Sequence, residues 1–188
     1  MILEKSLTFI QEQLDTYLKQ KTGENTSKVV LSDILKQNGD MAIDAEKVAI
    51  MLVNIEEEKI GKQQKAYLKQ ENGTYAKTNP EIRLNLFLLF VARFSNYDEA
   101  VKAISNVIAF FQSRNVFESS RHPSMGTSLE KLVFELQTMS FEQMNHLWGA
   151  LGAKYMPSVL YKMRMVTIRE DEIKEDVLPI KEIEIRGI

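Results

Sequence analysis

The chain has 188 residues, 26 acidic against 24 basic, with a formal net charge of -2, so the molecule as a whole carries no nucleic-acid footprint. It has no cysteine, which excludes disulfides, thiolate metal sites, iron–sulfur ligation and cysteine nucleophiles and fits a reducing compartment. The length predicts one domain with its own core, and no run reaches the roughly 18 apolar residues of a membrane helix.

Glu4, Lys5, Glu12 and Asp15 near the N-terminus argue against a signal peptide. Leu3, Leu7, Ile10, Leu14 and Tyr17 recur at spacings of four and three, which predicts an amphipathic helix over 2–20. The run is too short for a coiled coil, so the helix is expected to lie on the body. Val29–Leu31 is a short strand. Asn38-Gly39 marks a turn, because that pair accepts positive φ cheaply. Val48–Val53 is apolar on both faces and predicts a covered strand, running out into solvent through the acids Glu56–Glu58.

Residues 61–80 are polar. Tyr67 and Tyr75 flank Asn72-Gly73, a pattern that predicts a small projecting hairpin over 65–76, with a mobile loop as the alternative. Its lysines lack interleaved aromatics, so single-stranded nucleic acid is not expected as a partner. Ile82–Phe94 then reads as the central strand. Its even positions are apolar throughout, and its odd positions only in the middle, at Phe87, Leu89 and Val91. One face should be buried along its length and the other covered at its centre, leaving Arg83, Asn85 and Arg93 outside.

Asn96 followed by Glu99 predicts a capping box on a helix running to Arg114, with Ala100, Val101, Ile104, Val107, Ile108 and Phe111 as its apolar face. Val116-Phe117 suggests an edge strand. Leu129–Met139 alternates, with Leu132, Phe134 and Leu136 on the buried side. Ser140 and Gln143 repeat the capping logic for a short helix whose stripe is Phe141, Met144, Leu147, Trp148 and Leu151. Gly152 helps end it and Pro157 blocks continuation. Val159–Ile168 is the last body strand, with Tyr161, Met163 and Met165 facing one way.

Residues 171–188 differ in character, with six acids against three bases. They read as an extended arm on a body domain of residues 1–170. The arm either closes the edge of its own sheet, lies on a neighbouring subunit, or frays.

No catalytic set emerges. Glu142 and His146 share a helix face, but a metal site needs further ligands. The serines near Gly126 form no nucleophile elbow, and no phosphate loop or dinucleotide fingerprint is present. Trp148 reads first as core and second as an interface anchor. No catalytic, cofactor or metal residue is expected, and no small-molecule substrate.

Three stretches carry a family resemblance. They are Asn79-Pro-Glu-Ile-Arg-Leu-Asn-Leu86 with the strand and helix that follow, Leu132-Val-Phe-Glu-Leu136, and Asn145-His-Leu-Trp-Gly-Ala-Leu-Gly152 running into Lys154–Lys162. Together they resemble the cap, or tail-terminator, proteins of phage-tail-like contractile injection systems. The resemblance implies an α/β (α+β) body, a mixed sheet flanked by helices. It implies a hexameric ring, assembled in the cytoplasm on the end of the inner tube and sheath, that stops growth and anchors the sheath. The family offers no catalytic residues to carry over. The candidate contact residues are Val177, Leu178, Ile180, Ile183 and Ile185 on the arm, and Tyr67 and Tyr75 on the hairpin. A small cytosolic peptide-binding adaptor is the alternative reading.

Overall fold

The computed structural model describes residues 2–58, 83–126 and 129–167, and the backbone of three short strands at 67–69, 75–77 and 175–177. In chain order these are α1 (Ile2–Thr22), β1 (Val29–Leu31), β2 (Lys47–Glu57), β3 (Tyr67–Lys69), β4 (Tyr75–Lys77), β5 (Arg83–Arg93), α2 (Tyr97–Ser113), β6 (Val116–Glu118), a 3-10 turn at Pro123–Met125, β7 (Leu129–Gln137), α3 (Phe141–Leu151), β8 (Ser158–Thr167) and β9 (Glu175–Val177).

A six-stranded mixed sheet has the order β1-β2-β5-β8-β7-β6, and β3-β4-β9 form a second, three-stranded sheet. In the large sheet only β1 and β2 are parallel. The apolar strand β5 lies between β2 and β8, as its two-sided hydrophobicity demands.

The even side of β5 faces the main core. Leu86, Leu88, Phe90 and Ala92 are buried there with Phe9, Ile10, Leu14 and Leu18 of α1 and Val107, Phe110 and Phe111 of α2. Aromatic rings tie the layers together. Phe111 stacks on Phe134 at 4.5 Å and meets Phe90 edge-on at 5.3 Å, and Phe9 meets Phe117 edge-on at 5.6 Å. Such pairs add about 0.5–1.5 kcal/mol beyond the area they bury.

The odd side of β5 is covered over one half. Leu89 and Val91 are buried beneath Trp148 of α3 and beneath Ile34 and Ile43. Those two isoleucines belong to the β1–β2 connection, where the sequence pattern indicates only a turn. The connection folds back on itself through Ala42 N–H donating to the Ile34 carbonyl at 2.9 Å and Lys36 N–H to the Asp40 carbonyl at 2.7 Å. Gly39 supplies the positive φ of 85° at the tip.

Several local expectations are revised. Asn96 caps α2 by accepting from Asp98 N–H, while Glu99 turns outward to Lys102 at 2.8 Å, so no capping box forms there. On α2 the buried set is Ala100, Ala103, Val107, Phe110 and Phe111, whereas Val101 and Ile108 stay exposed. Helix α2 is rotated so that the large aromatics, with more area to bury, take the core. Leu136, near the end of β7 beyond its partner β6, is exposed. Phe141 is 87% exposed, and of the α3 stripe only Trp148 is fully buried. The Ser140–Gln143 capping box does form, and Gly152 ends the helix in the left-handed region.

Candidate assembly surfaces

The expected hairpin is present as backbone. β3 and β4 are antiparallel, with Tyr67 opposite Lys77 and Tyr75 opposite Lys69. β9, the described part of the arm, adds to the other side of β4, so that Tyr75 lies opposite Val177 and Lys77 opposite Glu175. The arm thus begins by extending the hairpin, a partnership the sequence did not reveal. The structure brings Tyr67, Tyr75 and Val177 into one small sheet. Leu178, Ile180, Ile183 and Ile185 lie outside the described residues.

The register fixes direction. β4 runs from Tyr75 to Lys77 and leads on to Arg83 at the start of β5. β9 is antiparallel to it. The chain therefore leaves Val177 at the end of β4 that is remote in sequence from the large sheet.

A second surface lies on the odd face of the large sheet, in the half that α3 leaves bare. Strand register places Glu56, Asn85, Arg164, Val133 and Val116 in one row across β2, β5, β8, β7 and β6. Arg83, Lys131 and Glu118 belong to the adjacent row. Arg83, Asn85, Lys131, Val133 and Arg164 of these rows line, with Glu58, a cavity of about 440 Å³. Arg164 pairs with Glu135, and Lys131 lies 3.7 Å from Glu118.

Asn85 is the unusual member. It is 5% exposed, its amide donates to Glu58 Oε2 at 3.1 Å, and its Oδ1 has no partner among the described residues. The sequence pattern places Asn85 outside. In the structure it is buried, with its amide held by Glu58. An unpaired buried carbonyl costs about 1–3 kcal/mol.

The third surface is aromatic. Exposed Phe141 and half-exposed Tyr155 flank Trp148, whose ring meets Tyr155 edge-on at 5.5 Å. The indole N–H of Trp148 is buried with no partner among the described residues. Glu142 and His146 are exposed on the same helix. Among the described residues no cluster of three or more His, Asp or Glu is placed to hold a metal, and no helix is long and apolar enough to cross a membrane.

Two solved structures that share this fold are terminating caps. The sheath/tube terminator of PVC, an extracellular contractile injection system, in its extended state superimposes with a TM-score of 0.61 and 14% identity, over 95% of this chain and 62% of that one. The tube-terminating cap of the anti-feeding prophage AFP gives 0.59 and 13%, over 95% and 60%. This chain therefore spans about three fifths of the length of either cap. No curated protein matches the sequence. A family model, the Pvc16 N-terminal domain, matches residues 7–182, from α1 through both sheets and into the arm. The chain belongs to the Pvc16 N-terminal domain family.

Proposed function

We propose that this protein is a structural cap that ends the inner tube and sheath of a contractile injection system. The observation that carries the proposal is membership of the Pvc16 N-terminal domain family across residues 7–182, joined to a fold shared with two terminating caps over 95% of the chain.

The mechanism is competition for a growing end. Subunits close into a hexameric ring. One ring face matches the last layer of tube or sheath, and the other offers no surface for the next layer. Each contact is weak, but repetition around a closed ring multiplies them into firm attachment. No bond is made or broken, so the protein is not an enzyme. Assembly takes place in the cytoplasm, with tube and sheath proteins as partners.

The domain division at 170/171 belongs to this reading. Residues 1–170 form the body, and 171–188 act as a contact arm through Val177, Leu178, Ile180, Ile183 and Ile185. The pairing of Glu175–Val177 with Tyr75–Lys77 supports that role, because it joins the start of the arm to the hairpin and not to the large sheet. Tyr67 and Tyr75 on the hairpin are the second contact set.

Native mass measurement of the purified protein, with and without tube protein, tests the proposal. A sixfold species that forms on tube ends is expected, with a monomer in isolation permitted if the tube templates the ring. A protein that stays monomeric beside tube and sheath alike contradicts it and favours the peptide-binding adaptor.

A further inference from the structure

We infer that two free copies of this chain pair through α3, with Phe141 of each seated at Gly149 of the other. The inference concerns the chain away from tube and sheath, and it does not depend on the cap reading.

Phe141 is the knob. It is 87% exposed on the first turn of α3, and among the described residues no other large apolar side chain is as exposed. A bare phenyl ring gains from any apolar seat that takes it out of water.

The seat lies on the same helix. A cavity of about 370 Å³ opens along α3, bordered by Phe141, Asn145, Trp148, Gly149, Gly152 and Tyr155, and no charged residue of the described chain lines it. Gly149 sits inside the helix, where glycine costs stability relative to alanine. A Cβ at Gly149 would meet nothing within 4 Å, so the protein's own packing does not require glycine there. The bare backbone leaves room for a group from outside the chain.

The spacing of knob and seat selects a second copy as the occupant. Phe141 and Gly149 lie about 12 Å apart along the helix axis, and Asn145 stands midway between them. Two antiparallel α3 helices related by a two-fold axis at Asn145 therefore bring position 141 of each to position 149 of the other. The two Asn145 amides then face each other, and an amide carries both donor and acceptor, so it pairs with its own copy. Glu142 and His146 are exposed on one flank of the stripe. In the pair, Glu142 lies beside His146 of the second copy, where an imidazole N–H donates to the carboxylate. A face complementary to itself in shape and charge makes an isologous, two-fold contact. A tube or sheath segment requires none of these coincidences. One 11-residue helix offers less than the ~800 Å² per partner of a standard interface, so the pair is weak.

Sedimentation equilibrium of the full-length chain alone, from about 10 μM to about 1 mM, reads the pairing. The emission of Trp148, the only tryptophan, is the second readout. A monomer–dimer equilibrium is expected, with the emission shifting as the pair forms. Phe141→Ala removes the knob and Gly149→Leu fills the seat, and each should raise the dissociation constant at least ~10-fold. A mixture of the two variants keeps one intact knob and one intact seat, so it should associate more tightly than either variant alone. A wild-type chain that stays monomeric to the top of that range overturns the inference. Pairing unchanged by Phe141→Ala overturns it too, as does a mixture no tighter than its parts. A monomeric chain whose Phe141→Ala variant binds tube protein more weakly assigns the face to the tube and rejects the second copy. Because pairing is read without tube or sheath, dimers that respond as described sustain the inference even if the chain fails to cap tubes. Thermal melts followed by circular dichroism establish that both variants fold. Both positions are exposed, so little change is expected.

Discussion

Asp15 fastens α1 to β1. Its Oδ1 accepts from Lys28 N–H at 2.7 Å, Val29 N–H at 3.1 Å and the Ser27 hydroxyl at 3.1 Å, and its Oδ2 pairs with Lys19 at 2.8 Å. Burial pushes the Asp15 carboxyl up, but the Lys19 ammonium and the donated N–H and O–H groups together hold it below its ordinary value of 3.8. A carboxylate with a depressed folded value lends stability above its unfolded value, and that stability is lost as pH falls through the folded one. Acid should therefore loosen α1 from the sheet below about pH 3.8. Asp15→Ala strands buried N–H groups and should cost about 2–4 kcal/mol in urea denaturation at neutral pH. An Asp15→Ala chain as stable as wild type would show that the α1–β1 junction is held by packing alone. Nothing in the sequence singles out Asp15 from the other acids of its helix, because the backbone N–H groups it accepts from lie 13 and 14 residues away.

At the level of elements, the alternation along β5 was readable, and its consequence is visible in the two differently covered sides of the sheet. A strand's two faces are recorded in adjacent residues, so a local pattern suffices. The covering elements were harder. Val101, Ile108 and Phe141 are apolar at helical spacing yet exposed, because periodicity says which residues share a face and not whether anything lies over it. Two contrasts follow. Phe111 is 2% exposed amid a ring of aromatics and Phe141 is 87% exposed. Phe111→Ala should cost about 3–5 kcal/mol, and Phe141→Ala less than about 0.5. A chemical-denaturation series that reverses this order would contradict the described rotation of the helices. Ser140→Ala removes a formed capping box and should cost about 1 kcal/mol, whereas Glu99→Ala breaks only an exposed pair and should cost less than about 0.5 kcal/mol.

For the whole molecule, the candidate contacts were half legible. The hairpin could be seen in Tyr67, Asn72-Gly73 and Tyr75, since turn chemistry is local. The pairing of Glu175–Val177 with Tyr75–Lys77 could not, because nearly a hundred residues separate the two strands and neither is distinctive in composition. The charged cavity was hidden for the same reason, since Arg83, Lys131 and Arg164 meet only through the order of β5, β8 and β7. Deletion of 171–188 removes β9 but no strand of the large sheet. The truncated chain should keep its cooperative unfolding and lose ring assembly, as read by circular dichroism beside native mass measurement. A truncated chain that caps particles normally would remove the arm from the account.

The central claim is that this chain limits growth by occupying an end. The most direct measurement is the length distribution, by electron microscopy, of particles assembled with and without it. The account predicts that its loss gives tubes and sheaths of widely scattered length with poorly held sheath ends. Particles of unchanged, uniform length with firmly attached sheaths would contradict it.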